Sequence, residues 1–178
     1  MKKIIVCLFF MLPVVGIAKI HEIQGFDLIA QKEVDLQLDL LKPRVFYFLS
    51  AWCPCSQGTF DHLNSLQKKF PQFQFIGFHS SVEITKADAI KYFSKYEINF
   101  PIILDKKITY ADKVKALKTP HVFIFGKDDE LLFQGGATNS RLVKNADKFY
   151  LQEALNALAK GREVKIKNAK TIGCYIQR

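Results

Sequence analysis

The sequence predicts an α/β fold with a central mixed sheet that is flanked by helices. Three continuous apolar runs, at residues 44–50, 73–78 and 121–125, have the composition of strands buried on both faces. Segments with apolar residues at three- and four-residue steps lie between the runs and predict helices. Because strands alternate with helices, the core of the sheet is expected to be parallel. A turn at residues 127–130 and a returning strand at residues 131–134 add an antiparallel edge.

Four helices are predicted from their apolar faces. These faces are formed by Phe60, Leu63, Leu66 and Phe70; by Ala87, Ile90, Phe93 and Tyr96; by Ile108, Ala111, Val114 and Leu117; and by Leu151, Ala154, Leu155 and Leu158. Pro71 ends the first helix, a segment similar to a capping box at residues 85–88 opens the second, and Gly161 ends the last. Residues 101–104 predict a short strand, and residues 21–42 a short strand with an irregular or helical lead-in.

A separate segment precedes the predicted domain. Residues 1–18 contain two lysines near the start, an apolar run over residues 4–15, and the small residues Gly16 and Ala18. This layout is typical of a secretory signal peptide, and the apolar run is shorter than the ~20 residues that a membrane span needs. An uncleaved N-terminal anchor is the alternative interpretation. We expect cleavage of this segment, export, and residence in the bacterial periplasm.

The domain organisation follows from length and composition. The chain has 178 residues, of which 49% are hydrophobic, and this suffices for one full core. Charged residues make up 24%, so no long disordered segment is expected. We therefore predict a signal peptide over residues 1–18, one domain over residues 19–160, and a C-terminal tail over residues 161–178 that carries Cys174.

The charge of the chain argues against one class of partner. The formal net charge is +9, and the basic residues are spread through the sequence. No basic stretch is interleaved with aromatic residues as a nucleic-acid platform would be, so nucleic acid is not an expected partner. A solvated basic surface is expected instead, with at most weak attraction to an anionic membrane surface.

Four cysteines occur in the sequence, and Cys7 would leave with the signal peptide. The remaining three, Cys53, Cys55 and Cys174, would face an oxidising environment after export. Since three is an odd number, at least one thiol must be free, transiently paired, or bonded to a partner. A purely structural disulfide framework would more naturally use an even number.

Cys53 lies between the first buried strand and the following predicted helix. The unpaired N–H groups and the dipole at the start of a helix favour a thiolate, which is the reactive form of cysteine. Pro54 suits the first helical turn, where its missing N–H costs nothing. Trp52 would shield one side of the sulfur. The alternative is that Cys53 and Cys55 are inert small side chains.

Four segments resemble thioredoxin-like proteins. They are Trp-Cys-Pro-Cys-Ser at residues 52–56, Thr-Pro-His-Val-Phe-Ile-Phe at residues 119–125, Gly-Gly-Ala-Thr-Asn-Ser-Arg at residues 135–141, and Gly-Arg-Glu-Val at residues 161–164 followed by Thr-Ile-Gly-Cys-Tyr-Ile at residues 171–176. The chain is similar, over roughly residues 40 to 178, to the exported or small redoxins related to alkyl hydroperoxide reductase and thiol-specific antioxidant proteins. The resemblance implies a thioredoxin-like three-layer fold.

The resemblance also implies roles for individual cysteines. Cys53 matches the attacking cysteine of thioredoxins, while Ser56 stands where their second cysteine would be. The role of resolving cysteine is therefore open to Cys55 or Cys174. A Cys53–Cys55 disulfide would be strained and easily reduced, because residues two apart on a helix point in different directions. For Cys174, the alternative is a tail thiol without a role.

Substrate binding is implied for three residues near the cysteines. The segment Thr119-Pro120 resembles the cis-proline segment of thioredoxins, so the peptide bond between these residues is expected to be cis. Thr119 would then expose its backbone to a substrate peptide. Trp52, beside Cys53, is the third expected substrate-binding residue.

A peroxiredoxin-like thiol peroxidase is a second hypothesis. Ser50 stands three residues before Cys53, as that family requires, but Phe46 stands where the family has proline. A peroxidase also needs an arginine beside the thiolate, and Arg44 and Arg141 are the candidates. We therefore rank a peroxidase below disulfide exchange.

A Cu(I)-binding metallochaperone of the thioredoxin fold is a third hypothesis. Cys53 and Cys55 would supply two thiolates, and His79 or His121 an imidazole, which together suit a soft metal. Copper-delivery proteins of this fold use a wider cysteine spacing, however, and each histidine has the ordinary interpretation of a surface or loop residue. Neither a metal site nor a cofactor is predicted.

The leading hypothesis is an exported thiol–disulfide oxidoreductase. The Cys53 thiolate would attack a disulfide, and Cys174 or Cys55 would resolve the mixed disulfide. The expected partners are protein or small-molecule thiols and disulfides, together with a redox partner protein.

Overall fold

The computed structural model describes residues 20–178. The predicted signal peptide lies outside the described residues. Nine strands form in the described part of the chain: β1 (Glu22–Asp27), β2 (Lys32–Gln37), β3 (Arg44–Leu49), β4 (Gln74–His79), β5 (Ile102–Leu104), β6 (Lys118–Thr119), β7 (His121–Phe125), β8 (Leu131–Gly135) and β9 (Cys174–Tyr175). The helices are α1 (Pro54–Gln57), α2 (Phe60–Lys69), α3 (Lys86–Phe93), α4 (Thr109–Val114) and α5 (Tyr150–Ala159).

Seven strands form one mixed sheet in the order β2-β1-β5-β4-β3-β7-β8. The three central strands β3, β4 and β5 run parallel, whereas β7 is antiparallel to β3 and β8 is antiparallel to β7. The predicted parallel core with an antiparallel edge is therefore confirmed. The strands β6 and β9 form a separate two-stranded sheet.

The side chains of β3 alternate between two apolar layers. Val45, Tyr47 and Leu49 belong to a cluster shared with α2, α3 and α5, while Phe46 and Phe48 belong to a second cluster shared with α4. This alternation follows from the two-residue period of a strand, and it places a helical layer on each face of the sheet. The predicted three-layer α/β fold is confirmed.

Aromatic rings pack closely against one another in the second cluster. Phe48 stacks on Phe78 with ring centroids 5.0 Å apart, and it meets Phe123 edge-on at 5.7 Å. Each of these fully buried rings contributes roughly 2–3 kcal/mol through removal of its apolar surface from water. The strands that carry the rings, β3, β4 and β7, are those that lead into the candidate site.

Residues 21–42 differ from the sequence-based expectation. They form an antiparallel hairpin of β1 and β2, with Ile23 opposite Leu36. The alternation of Val34 and Leu36 with charged residues in β2 is a half-buried strand pattern, which the interpretation as a lead-in missed. The buried Asp27 joins the hairpin to β5, because its Oδ1 accepts from the N–H groups of Ile29 and Ile102 at 2.9 and 3.3 Å.

The first predicted helix is divided into α1 and α2. The Thr59 hydroxyl donates to the Ser56 carbonyl at 2.7 Å and also bonds the Tyr47 hydroxyl. A hydroxyl in this position competes with the backbone for the carbonyl that would continue the helix. Tyr47 and Thr59 thereby attach the junction to β3, which fixes the short helix α1 relative to the sheet.

The C-terminal tail, residues 161–178, returns along the sheet to the candidate site. Gly161 adopts a φ of +65° just after α5, a conformation that glycine accepts at little cost. Further along, the Gln134 N–H donates to the Lys167 carbonyl at 2.8 Å, and the Ala169 N–H donates to the Gln134 carbonyl at 2.9 Å. The tail then pairs through β9 with β6.

Candidate functional site

The candidate site lies at the edge of the sheet where three connections meet. Leu49 and His79, the last residues of the parallel strands β3 and β4, are register partners, and the antiparallel β7 begins opposite Phe48. The turn after β3, the loop after β4 and the segment before β7 therefore surround one cleft. Its volume is about 270 Å³, and its lining includes Cys53 and Cys174.

Cys53 occupies the N-cap position of α1. Pro54 takes the first helical position, as the sequence predicts. The Cys53 N–H donates to the Ser50 carbonyl at 3.3 Å, and its carbonyl accepts from the Gln57 N–H at 3.0 Å. These bonds hold the turn so that Cys53 is only 5% exposed.

Trp52 lies in solvent beside the buried Cys53. It adopts a left-handed φ of 59° and is 59% exposed. This conformation costs a bulky residue about 1–2 kcal/mol, and such strain is typical of functional positions. Trp52 lines the cleft together with Thr119, so two of the three expected substrate-binding residues border it.

Ser56 stabilises the Cys53 thiolate. Burial raises the pKa of Cys53, but hydrogen bonds from the hydroxyl and the N–H of Ser56, together with Thr119 and Cys174, outweigh burial and lower the pKa. Ser56 is fully buried, and its Oγ accepts from the Ser50 N–H at 3.3 Å, which fixes the hydroxyl. Local hydrogen bonds therefore lower the pKa of Cys53 despite its burial.

The tail brings Cys174 to the site. The Sγ atoms of Cys53 and Cys174 lie 3.8 Å apart, although the two residues are far apart in sequence. Cys174 pairs with Thr119 across β6 and β9, and the Cys53 Sγ lies 3.3 Å from the Thr119 carbonyl oxygen, to which it donates when it is protonated. Burial and then the negative charge of Cys53 raise the pKa of Cys174. The two thiols are thus pushed toward different protonation states.

Cys55 is buried in α1. Burial and then the charge of Cys53 raise the pKa of its thiol. The three cysteines of the described chain are free thiols in this structure. Both candidate partners interact with Cys53: the Cys174 sulfur faces it across the edge of the cleft, and a hydrogen bond with Cys53 is a lesser cause of the raised pKa of Cys55 in α1.

The peptide bond between Thr119 and Pro120 is cis. Both residues are buried, and together they precede β7. The Thr119 backbone does not face open solvent. It pairs with Cys174 of the tail, so the C-terminal tail occupies the backbone edge that the resemblance assigns to a substrate peptide.

The interpretation of two histidines as surface or loop residues is wrong. His79 and His121 are both buried, and burial lowers the pKa of each to about 4. His79 Nδ1 accepts from the Ala51 N–H at 3.3 Å, and His121 Nδ1 accepts from the Leu117 N–H at 3.4 Å. Both imidazole rings are therefore neutral and accept hydrogen bonds from backbone N–H groups, one in the turn before Cys53 and the other just before β6.

The geometry does not favour the copper hypothesis. Within residues 20–178, no group of three or more histidine, cysteine or acidic side chains is arranged to hold a metal ion. The Nδ1 atoms of His79 and His121 are already used by backbone donors. His79 Nε2 has no hydrogen-bond partner, but within residues 20–178 it is not grouped with the thiols as a set of metal ligands.

The two candidate arginines have different environments. Arg44 is fully buried at the start of β3, at the end opposite Cys53, where its Nη2 donates to the Gly126 carbonyl at 2.7 Å and to Asp129 at 3.0 Å. Arg44 is therefore not the arginine of a peroxidase site. The charge of Arg141 acts on Cys55 and Cys174, where it opposes the rise in pKa.

Sequence reasoning missed Asp105, a buried residue that supports the wall of the cleft through Ser80. Asp105 is buried directly after β5, and its carboxylate accepts from the Ser80 hydroxyl at 2.7 Å and from the N–H groups of Tyr110 and Ala111 at 2.8 and 3.0 Å. It thereby joins Ser80, a lining residue, to α4. The available signal was an aspartate at the carboxyl end of a buried strand.

Sequence reasoning also gave no role to Ser56 or Lys118. The signal for Ser56 was its position, where thioredoxins have their second cysteine. The Lys118 Nζ lies 4.7 Å from the centroid of the Tyr175 ring and donates to the Thr171 carbonyl at 3.4 Å, so it helps to hold the tail. Nothing in the local sequence indicates that contact.

The helices of the described chain, residues 20–178, are too short or too polar to cross a membrane.

Comparison with known proteins agrees with this fold. The chain is 30% identical over 102 residues to a thioredoxin-like protein of Haemophilus influenzae, a match that covers 57% of this chain and 59% of the relative. An uncharacterized conserved protein from Geobacillus kaustophilus superposes with a TM-score of 0.77 at 23% identity, over 92% of each chain.

Two further structures belong to thioredoxin-fold redox proteins. A secreted Mycobacterium tuberculosis disulfide oxidoreductase homologous to E. coli DsbE gives a TM-score of 0.52 at 18% identity, covering 61% of this chain and 79% of that one. The peroxidoxin BcpB of the same organism gives 0.58 at 17% identity, covering 80% and 94%. The predicted resemblance to thioredoxin-like proteins of the redoxin group is confirmed. Residues 26–178 match the family described as a domain of unknown function (DUF6436), and the chain, with its thioredoxin-type fold, therefore belongs to that family.

Proposed function

We propose that this chain is an exported thiol–disulfide oxidoreductase in which Cys53 attacks and Cys174 resolves. The observation that carries the proposal is the 3.8 Å distance between the two sulfurs, with the pKa of Cys53 lowered and that of Cys174 raised. A nucleophile must be ionised to react, whereas its resolving partner can stay protonated until it is needed.

The reaction proceeds in two exchanges. The Cys53 thiolate attacks one sulfur of a substrate disulfide, a Cys53–substrate disulfide forms, and the first substrate thiolate leaves and takes up a proton. Cys174 then loses its proton and attacks the Cys53 sulfur, which releases the second substrate thiol and leaves a Cys53–Cys174 disulfide. Two electrons pass from the dithiol to the substrate, and an external thiol or redox partner protein restores the dithiol.

The charge of Cys53 orders these two exchanges. While Cys53 is a thiolate, its charge is the second cause, after burial, of the raised pKa of Cys174. Once Cys53 is in a mixed disulfide, it carries no charge and this cause disappears. Cys174 then ionises more readily, in the state in which it must attack.

Cys174 is a better resolving partner than Cys55. A disulfide needs its sulfurs about 2 Å apart, so Cys53 and Cys174 must close by a further 2 Å or so, which side-chain rotation can supply. Cys55 is fixed in α1, and a bridge across the single residue Pro54 would distort the turn. Trp52 and Thr119, which line the cleft, would border a substrate beside Cys53, and Pro120 would hold Thr119 in place from its buried position.

Export is part of the proposal. It rests on the predicted signal peptide over residues 1–18, and it is supported by the secreted oxidoreductase that shares the fold. A Cys53–Cys174 disulfide would persist in the periplasm, where thiols tend to be oxidised. Mass spectrometry of the protein purified from the periplasmic fraction tests this point, since cleavage after Ala18 fixes the expected mass.

The function is tested by an insulin-reduction assay and by disulfide mapping of the oxidised protein. Cys53→Ser is expected to abolish reduction, and Cys174→Ser to accumulate the mixed disulfide with the substrate. Cys55→Ser is the matched control and should retain both activity and the Cys53–Cys174 disulfide. Undiminished reduction of insulin by the Cys53→Ser protein contradicts the assignment of Cys53 as the attacking cysteine. A Cys53–Cys55 disulfide in the oxidised protein contradicts the assignment of Cys174 as the resolving cysteine. Consumption of hydrogen peroxide by the same variants measures any peroxidase activity.

A further inference from the structure

The tail occupies the edge of β6 in the manner of a bound peptide. Tyr175 and Cys174 pair antiparallel with Lys118 and Thr119, and the Ile176 N–H donates to the Leu117 carbonyl at 3.0 Å. Addition of an extended strand to an exposed edge is a common mode of peptide recognition. The edge of β6 is therefore already filled, by a segment that places a cysteine beside Cys53.

Side chains on both sides of this pairing anchor the tail. Ile176 is only 6% exposed and packs into the apolar cluster beneath α4. Arg178 donates from Nη2 to the Ala116 carbonyl at 2.8 Å and from Nε to the Asp112 carboxylate at 2.8 Å. An external strand could pair with β6 only after these contacts are broken.

The cleft that remains open is small. Its volume of about 270 Å³ lies between the tail and the loop of residues 80–84, with Trp52 at its rim. Ligand pockets for small molecules have volumes of roughly 300–1,000 Å³, so this cleft is slightly smaller than that range. It can admit a low-molecular-weight disulfide to Cys53, but it has no room for an additional strand.

From these contacts we infer that the C-terminal tail is an internal ligand of the strand-binding edge and excludes extended protein substrates while it is docked. Low-molecular-weight disulfides react with the docked form through the cleft, and protein disulfides react with Cys53 only after the tail has left β6. This inference rests on the proposed function. It adds a selection between substrate classes that depends on the position of the tail.

The experiment measures only the attack by Cys53. In the reduced full-length Cys174→Ser protein, resolution is absent and the mixed disulfide is counted by mass spectrometry after acid quenching. The probes are oxidised glutathione, as the small disulfide, and insulin, as the protein disulfide. Ile176→Asp is added to release the tail, and Ile166→Asp serves as the matched control because Ile166 is a tail isoleucine that is 42% exposed.

We expect Ile176→Asp to raise the ratio of the rate with insulin to the rate with oxidised glutathione by about tenfold. The reason is that release of the tail increases the fraction of molecules that can bind an extended substrate. Ile166→Asp should leave the ratio unchanged. Faster hydrogen exchange at the amides of β6 and β9 verifies tail release. If Ile176→Asp does not fold, Arg178→Ala removes an exposed anchor and gives the same comparison.

The outcomes separate the two proposals. A ratio that does not change when hydrogen exchange shows the tail released overturns the inference and leaves the proposed function intact. A Cys174→Ser protein that forms no mixed disulfide with either probe contradicts the proposed function itself. An equal rise of the ratio in Ile166→Asp also overturns the inference, because that side chain does not contact the edge of β6.

Discussion

A Cβ atom added to Gly173 would overlap the carbonyl oxygen of Thr119, so glycine alone lets the tail lie against this peptide unit. The same Cβ would lie 3.0 Å from the Pro120 nitrogen. Because the opposing atoms belong to the backbone of β6 and its continuation, they cannot rotate away as a flexible side chain could. The close approach immediately precedes Cys174 and therefore determines where its sulfur lies.

Gly173→Ala is expected to displace Cys174 from Cys53. The effective concentration of one thiol at the other should fall by about tenfold or more, since it depends on the tail being held in reach. Equilibration of the dithiol with a glutathione redox buffer, followed by alkylation and mass spectrometry, measures this quantity.

Gly161→Ala is the control for that variant. Gly161 has a φ of +65° and no atom within 4 Å of an added Cβ, so alanine would lower the free energy of unfolding by about 1–2 kcal/mol through its backbone alone. The Cys53–Cys174 equilibrium should not change. An unchanged equilibrium in Gly173→Ala would show that the docked tail does not bring the thiols together.

Ser56→Ala is expected to raise the pKa of Cys53. The variant loses the hydroxyl hydrogen bond to the thiolate and keeps the bond from the backbone N–H, so the thiolate is less stable. Alkylation by iodoacetamide as a function of pH measures the change, and the midpoint should move to higher pH. Ser65→Ala is the control, because its hydroxyl bonds only the Asp61 carbonyl within α2. The same midpoint in the wild-type, Ser56→Ala and Ser65→Ala proteins would contradict the stabilisation of the Cys53 thiolate by the Ser56 hydroxyl.

The sequence predicted the sheet and the position of Cys53 because both depend on local patterns. The run in β3 is continuous and apolar, and Pro54 after Cys53 suits the first turn of a helix. The burial of His79 was not predictable in this way. It depends on packing between strands and helices, which is not encoded in the neighbouring residues.

The choice between Cys55 and Cys174 as the proposed partner of Cys53 also depends on long-range packing. Cys55 is two residues from Cys53 and Cys174 is remote; the local sequence argues that a Cys53–Cys55 disulfide would be strained, but it does not show that Cys174 reaches Cys53. The choice depends on the path of the tail, which is fixed by backbone pairing with Gln134 and Thr119 and by the close approach at Gly173. Such backbone contacts have no side-chain signature apart from the glycine itself.

Arg141→Gln is expected to slow the second exchange and to leave the first unchanged. The charge of Arg141 opposes the rise in the pKa of Cys174, whereas the pKa of Cys53 is lowered mainly by hydrogen bonds from Ser56, Thr119 and Cys174. An aromatic disulfide that releases a coloured thiol reports both exchanges in sequence. The second release should slow by about threefold, since the rate follows the fraction of thiolate.

The effect of Arg141 should also depend on salt, because Arg141 is exposed and its field is screened by mobile ions. Arg162→Gln, an exposed arginine of the tail, is the control. A slower first release in Arg141→Gln would mean that this arginine acts on Cys53 after all, and a slower second release in Arg162→Gln would mean that net charge alone is responsible.

His79 is expected to make the fold less stable in acid. Its pKa is lowered from 6.5 to about 4 by burial, so between these values the unfolded state binds a proton that the folded state does not. Stability is therefore unaffected well above pH 6.5, falls as the pH drops toward about 4, and then levels off. The contribution amounts to about 3 kcal/mol at most, because a tenfold change in proton affinity between the two states corresponds to ~1.4 kcal/mol.

His79→Asn isolates this contribution, because asparagine can place an acceptor oxygen near the Ala51 N–H but does not titrate. Urea denaturation at several pH values gives the free energy of unfolding of both proteins. The difference between them should shrink, or change sign, as the pH falls through the window, while His121, whose pKa is lowered in the same way, contributes equally to both and cancels. Parallel curves would mean that the pKa of His79 is the same in the folded and unfolded states, which would contradict the lowering of its pKa by burial.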